Sequence, residues 1–158
     1  NIVDIKGQTP LMLAAQAGDA ELVKIMLEAG ANPDLQDIKG MTALHSATKS
    51  NSMDCVSFLL AAPCRLDLVT IDGRTPLHTA AWMGNLDAVQ QLISLAPQLA
   101  WQRDAGENTP LELAEHLLEN PDKLEQLSKE RAKFGTRCAT TEELQQVVQA
   151  LENVAAVC

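Results

Sequence analysis

A nine-residue pattern recurs along the chain at a nearly constant spacing. It is complete in residues 73–81, which read Gly-Arg-Thr-Pro-Leu-His-Thr-Ala-Ala, and three altered copies accompany it. The threonines of the four copies are 33, 33 and 34 residues apart, at Thr9, Thr42, Thr75 and Thr109. A period in this range is the signature of a stacked array, in which each unit packs only against its neighbours. The spacing therefore restricts the fold to a one-dimensional stack of similar units.

Each position of the pattern has a physical role at the start of a helix. Three copies carry glycine two residues before the threonine, where a β-turn requires a positive φ angle. Threonine is a favoured N-cap, and proline suits the first helical position, where no backbone donor is lost. A second segment with apolar residues at helical spacing follows Gly18-Asp19, Asn51-Ser52 and Gly84-Asn85. The unit is therefore a turn, two helices and a loop, and Asn51 suits the left-handed conformation.

These motifs resemble those of the ankyrin repeat family over nearly the whole chain. The resemblance implies an all-α ankyrin-repeat solenoid of about four stacked turn–helix–helix units, with a modified C-terminal capping repeat. We expect one domain spanning 1–158, with repeats at 4–36, 37–69, 70–103 and 104–155. In this family the histidine of the pattern, here His45 and His78, bridges the threonine hydroxyl and the backbone of adjacent repeats.

The two ends of the array depart from the pattern in different ways. Asn120-Pro121-Asp122 starts a polar helix where a second repeat helix is expected, whereas Thr140 and Glu143 form a capping box before a better-matched helix. We therefore predict an insertion at 119–140. Residues 1–3 fall in register with the end of a repeat, and Leu11–Ala15 lacks the polar face of a capping helix. We expect 1–3 to be the tail of an upstream repeat in a longer chain.

Charge and cysteine content restrict the partner and the compartment. The net charge is −9, and the C-terminal residues 104–158 carry 11 acidic and five basic side chains. Acidity argues against direct contact with nucleic acid or an anionic membrane surface. An acidic face usually serves solubility, and a protein partner with basic groups is the alternative. There is no Cys-x-x-Cys pair, signal peptide or apolar run long enough to span a membrane. We expect a monomer in an intracellular compartment, cytoplasmic or nuclear.

Catalytic and metal-binding patterns have little support. Glu112 and His116 are one helical turn apart, but no third ligand accompanies them. The motifs of phosphate loops, nucleophile elbows and zinc peptidases do not occur. We therefore expect a non-catalytic protein without a cofactor or metal.

The family resemblance implies that a partner lies along the concave side, formed by turn tips and the outward positions of the first helices. The candidate binding residues carried over by register are Ile38, Lys39, Met41, Lys49, Ile71, Arg74, Trp82 and Met83. Repeat one offers Ile5, Gln16 and Ala17 at the same positions, and repeat four offers Asn108, His116 and Leu117.

Two groups among these residues have more than one interpretation. Ile5, Ile38 and Ile71 share one slot on turn tips that are usually polar, so they form either an exposed apolar row or a packed one. Trp82, Met83 and Arg74 have the composition of an interface hot spot, although Trp82 could instead pack on the next repeat.

The sequence thus predicts a non-catalytic protein-interaction module. Two narrower alternatives stay open: a transcription-regulatory domain resembling the IκB and Notch ankyrin domains, and the targeting arm of a larger multidomain enzyme. A substrate chaperone is a further alternative, because the last repeat is similar to that of the chloroplast signal-recognition ankyrin protein.

Overall fold

The structure, a computed structural model, describes residues 2–132 and 139–157, and the side chains of all of these except 130–132. In that part of the chain every regular element is helical, as expected for an all-α solenoid. In chain order the α-helices are α1 Pro10–Ala17, α2 Ala20–Glu28, α3 Ala43–Ser50, α4 Met53–Ala61, α5 Pro76–Met83, α6 Leu86–Leu95, α7 Pro110–Glu119, α8 Pro121–Ala132 and α9 Thr141–Val157. A short 3₁₀ helix, Pro97–Trp101, follows α6.

The helices form two layers. Each first helix packs against the next, in the order α1, α3, α5 and α7, and each second helix does the same, in the order α2, α4, α6 and α9. Helix α9 contacts both α6 and α7, as the second helix of a fourth repeat would, while α8 packs against α7. The numerical boundaries of the repeats and of the 119–140 insertion stay predictions, and 133–138 lies outside the described residues.

The four threonines cap the four first helices. The hydroxyl of Thr9, Thr42, Thr75 or Thr109 accepts a hydrogen bond from the amide three residues later, at 3.2–3.4 Å. The side chain of that third residue accepts a bond from the threonine amide in return, so each cap is a reciprocal box. The four side chains that complete these boxes are Met12, His45, His78 and Glu112.

The core is narrow because alanine separates the helices. Ala15, Ala47, Ala80, Ala81 and Ala114 are all fully buried between the layers. Small side chains allow close approach of helices, and the leucines and valines of the second helices fill the remaining space. The apolar positions predicted from helical spacing therefore form a continuous core along the stack.

The turns between repeats have the backbone conformation that the glycines indicate. Gly7, Gly40 and Gly73 have φ angles of 72–73°. In the fourth turn Glu107 occupies the equivalent place with a φ angle of 63°, a conformation that costs a residue with a side chain about 1–2 kcal/mol. Asn51 ends α3 at a φ angle of 58°, so its left-handed conformation is confirmed.

Candidate functional site

The turn tips form a continuous row joined by backbone hydrogen bonds. The amide of Ile38 donates to the carbonyl of Lys6 at 3.1 Å, and the amide of Ile71 donates to the carbonyl of Lys39 at 2.9 Å. The amide of Ala105 donates to Asp72 in the same way at 2.8 Å. Within each turn a side-chain oxygen near the start accepts bonds from following amides, as Asp37 does from Lys39 and Met41. The backbone therefore holds the row without help from the side chains at its tips.

The isoleucines of this row are open to solvent. Ile5, Ile38 and Ile71 are 98 %, 67 % and 71 % exposed. The sequence left open whether this row is exposed or packed, and in the structure these three side chains are exposed. Ala105 takes the isoleucine slot in the fourth turn, so the row ends with a small residue. We call Ile5, Ile38 and Ile71 the isoleucine row.

The first helices present one outward position in each repeat. It is occupied by Gln16, Lys49, Trp82 and His116 in the four repeats. Trp82 is half-buried, and the other three side chains are exposed. Lys39 is also exposed, and Met41 and Arg74 are half-buried at the turns. The structure thus places seven of the eight candidate residues where solvent reaches them.

Met83 is the exception, and its predicted outward position is wrong. Only 8 % of Met83 is exposed, and Leu117, its counterpart in α7, is fully buried. The chain that enters α9 passes close to the end of α5, because a Cβ added to Gly84 would meet Ala139 and Leu144. Met83 therefore lies inside the stack, next to a glycine that the start of α9 approaches closely.

Cations lie over the indole ring of Trp82. The guanidinium carbon of Arg74 is 5.3 Å from the ring centroid, and Nζ of Lys123 in α8 is 5.4 Å from it. Both distances are within the range in which an aromatic ring attracts a positive charge. Trp82 therefore contacts a residue of its own repeat and a residue of α8.

Arg74 also ties the third turn to the fourth. Its Nε donates to Asp104, with an Nε–Oδ2 distance of 3.4 Å, and the Asp104 side chain is only 3 % exposed. Burial alone would raise the pKa of Asp104. Hydrogen bonds from the backbone amides of Asn108 and Gly106 and from the side chains of Asn108 and Arg74 outweigh this effect, so the pKa of Asp104 is lowered below its ordinary value. Asp104 is therefore a charged acceptor that holds the turn and the guanidinium together.

A surface cleft of about 360 Å³ opens beside this pair. We call it the Trp82 cleft, and its walls include Arg74, Trp82, Glu112, Glu115, Glu119 and Lys123. Glu112 completes the cap of α7, since Oε2 accepts a bond from the Thr109 amide at 2.6 Å, and it also pairs with Arg103. Among the described residues, three carboxylates and two cations thus line one cleft at the junction of α5, α7 and α8.

The two pattern histidines bridge adjacent repeats, as the resemblance implies. Nδ1 of His45 accepts a bond from the Thr42 amide, so the neutral ring carries its proton on Nε2 and donates it to the carbonyl of Arg74 at 3.0 Å. His78 repeats this arrangement with Thr75 and with the carbonyl of Asn108. Burial lowers the pKa of His45 to about 4 and lowers that of His78 as well. Both rings are structural, neutral and inaccessible to a partner.

The side chains of Glu112 and His116 contact different partners. Glu112 faces the cap of α7, whereas His116 contacts Asn120 and the ammonium of Lys123, with a distance of 3.3 Å from Nε2 to Nζ. Across 2–132 and 139–157 there is no group of three or more His, Cys, Asp or Glu that could hold a metal ion. None of the helices in these ranges combines the length and apolar character needed to cross a membrane.

Sequence reasoning missed Lys123, Glu115 and Glu119. Glu115 and Glu119 lie in α7 at positions that were not carried over from the repeat pattern, and Lys123 lies in α8, outside the pattern. The two glutamates are four residues apart, so they lie on the same side of α7. That spacing could have identified the pair, but no sequence signal places Lys123 beside Trp82.

Comparison with known families agrees with this geometry. A model described as ankyrin repeats (3 copies) matches residues 1–70, and one described as ankyrin repeat matches residues 72–99. Together the two matches cover 98 of the 158 residues, from the first turn to the 3₁₀ helix after α6.

Proposed function

The chain belongs to the ankyrin repeat family, and on that premise we propose that it binds a protein partner through its turn tips and first helices. Ankyrin repeats are generally protein–protein interaction modules and are typically non-catalytic. The partner would lie along the isoleucine row and the neighbouring outward positions of the first helices.

The exposure of the isoleucine row is the observation that carries this proposal. Three large apolar side chains stand on turns that backbone bonds already hold in place, so these side chains contribute little to folding. Removing one such side chain from water on association stabilises a complex by roughly 1.5–3 kcal/mol. An aligned apolar row of this kind is typical of an interaction surface.

Polar and cationic groups flank the row and would set the orientation of the partner. Lys39 and Lys49 are exposed beside it, and Met41 and Arg74 are half-buried at its inner edge. An apolar centre with a polar rim is the usual composition of a protein interface. The net charge of −9 favours a protein over a nucleic acid as the direct partner.

The narrower assignments stay predictions. A transcription-regulatory domain and a targeting arm differ in the partner they bind and in the domains attached to them. Both would use the same surface, so the surface itself is what the first experiment tests.

A capture experiment with matched variants tests the proposal. The chain and the triple variant Ile5→Ser, Ile38→Ser, Ile71→Ser are immobilised, and the proteins that each retains from cell lysate are quantified by mass spectrometry. The control is Leu22→Ser, Ile25→Ser, Leu95→Ser, which removes three exposed apolar side chains from second helices, where they are 38 %, 52 % and 58 % exposed. We expect the control to retain the same proteins as the parent chain and the isoleucine variant to lose them.

The variants are compared only after circular dichroism shows equal helix content and similar unfolding midpoints. Retention of the same proteins by the isoleucine variant would contradict the proposal. Equal losses from both variants would also contradict it, because general surface hydrophobicity would then explain the capture.

A further inference from the structure

The Trp82 cleft already contains a cation that the chain itself supplies. Lys123 reaches from α8 and places its ammonium 5.4 Å from the centroid of the Trp82 ring. We propose that this cleft receives a lysine side chain of the protein partner. When no partner is bound, Lys123 occupies the position of that lysine. This inference rests on the proposed function, because it specifies the chemistry of the partner.

The charge of the cleft favours a cation. Glu115 and Glu119 stand one helical turn apart in its wall, and neither carboxylate forms a hydrogen bond or ion pair with another described residue. The charge of Arg74 is offset by Asp104. When Lys123 leaves, the described charged residues that remain in the walls of the cleft are three glutamates and Arg74. An incoming ammonium would therefore meet both an aromatic face and carboxylates that have no partner.

Few contacts of helix α8 hold the Lys123 side chain over the Trp82 ring. No side chain of 121–129 is buried, so the helix contributes little to the core. Its described side-chain contacts with the cleft are those of Lys123 with Trp82 and His116. An exposed cation–π contact contributes only about 0.5–1 kcal/mol, which a partner side chain in the same place would recover.

A titration with a defined basic peptide tests the inference on the full chain. The probe is acetylated and amidated hexalysine, and the signal is the emission of Trp82 in a Trp101→Phe background, since the chain has two tryptophans. The salt concentration is about 150 mM, at which charges more than about 8 Å apart are largely screened. We expect saturable binding with a change in Trp82 emission.

Two pairs of matched variants separate the cleft from general charge attraction. We expect Lys123→Ala to bind the probe about threefold more tightly, because a competing cation has gone. Lys129→Ala removes the same charge from the same helix, where Lys129 pairs with Glu125, and should change binding by less than about twofold. Glu115→Gln with Glu119→Gln should weaken binding about threefold or more, whereas Glu21→Gln with Glu28→Gln in α2 should not.

The inference is overturned if hexalysine does not bind, if Lys123→Ala and Lys129→Ala act alike, or if the two glutamate pairs weaken binding equally. These outcomes are distinguishable from failure of the proposed function. The titration uses no cellular partner and leaves the isoleucine row unchanged, so the capture experiment can succeed or fail independently of it.

Discussion

At the scale of single residues, two of the four first-helix caps depend on histidine rings that are neutral. The His45 ring accepts a bond from its own cap and donates one to the next repeat, so it joins repeat two to repeat three. A protonated ring could not accept the bond from the Thr42 amide. The same residue thus completes a helix cap and connects two repeats, which explains why it recurs with the period.

This arrangement makes folding stability depend on pH in a definite direction. The pKa of His45 falls to about 4 in the folded chain from 6.5, and that of His78 is also lowered, in both cases mainly by burial. The unfolded chain therefore binds protons first as the pH falls through 6.5, and stability present above this pH is lost towards pH 4. We expect His45 to lower the free energy of unfolding by roughly 1–2 kcal/mol between pH 7 and pH 5.

Urea unfolding at the two pH values measures this effect. His45→Gln should lose that part of the pH dependence, whatever its stability at pH 7. His116→Gln, at an exposed histidine, is the control and should keep the pH dependence of the parent chain. An equal difference between pH 7 and pH 5 in the parent chain and in His45→Gln would show that His45 does not titrate with unfolding.

At the scale of elements, the last three helices have different roles. Helix α9 continues the second layer and contributes Leu144, Val147 and Leu151 to the core, all at most 1 % exposed. Helix α8 has no buried side chain in 121–129, although it is 12 residues long. The chain thus supplies the second helix of the last repeat from beyond α8, and α8 lies on the surface beside α7.

Matched leucine truncations test this division. Leu144→Ala creates a cavity in the core, and we expect it to lower the free energy of unfolding by roughly 2–4 kcal/mol. Leu124→Ala, at a half-buried position of α8, should lower it by less than about 1 kcal/mol. Urea denaturation of both variants gives the comparison, and equal losses would mean that α8 belongs to the cooperative core.

At the scale of the whole molecule, we expect the local stability of each repeat in this chain to follow the number of neighbouring repeats that it contacts. Helices α3 and α5 each pack between two other first helices, whereas α1 packs against α3 alone in that layer among the described residues. In an array that contacts only its neighbours, an interior repeat gains two interfaces and a terminal repeat gains one. Local opening should therefore be least frequent in the middle of the stack.

Hydrogen exchange followed by mass spectrometry measures that distribution. We expect the amides of α3 and α5 to exchange most slowly and those of α8 to exchange fastest among the helices, because burial and interfaces protect the former. Amides of α7 supply the internal reference, since α7 lies beside α8 and carries buried Leu113 and Leu117. Protection of α8 equal to that of α7 would contradict this description of the molecule.

The sequence by itself determined the repeating unit, the helix starts and the turn conformations. These features depend on local chemistry: threonine caps, glycine at positive φ and apolar residues at helical spacing act within a few residues of one another. Their return at a fixed period then specifies the stack, and with it the isoleucine row, because equivalent residues of neighbouring repeats must lie side by side.

Only the tertiary structure decided the burial of Met83, the exposure of the isoleucines and the position of Lys123 on Trp82. The positions of Met83 and Lys123 depend on packing around the third and fourth repeats, whereas the exposure of the isoleucines does not. Residues far apart in the chain meet there, as Trp82 and Lys123 do, and no local pattern predicts that contact. The site at the third and fourth repeats is therefore a product of packing, whereas the row along the turns follows from the repeat itself.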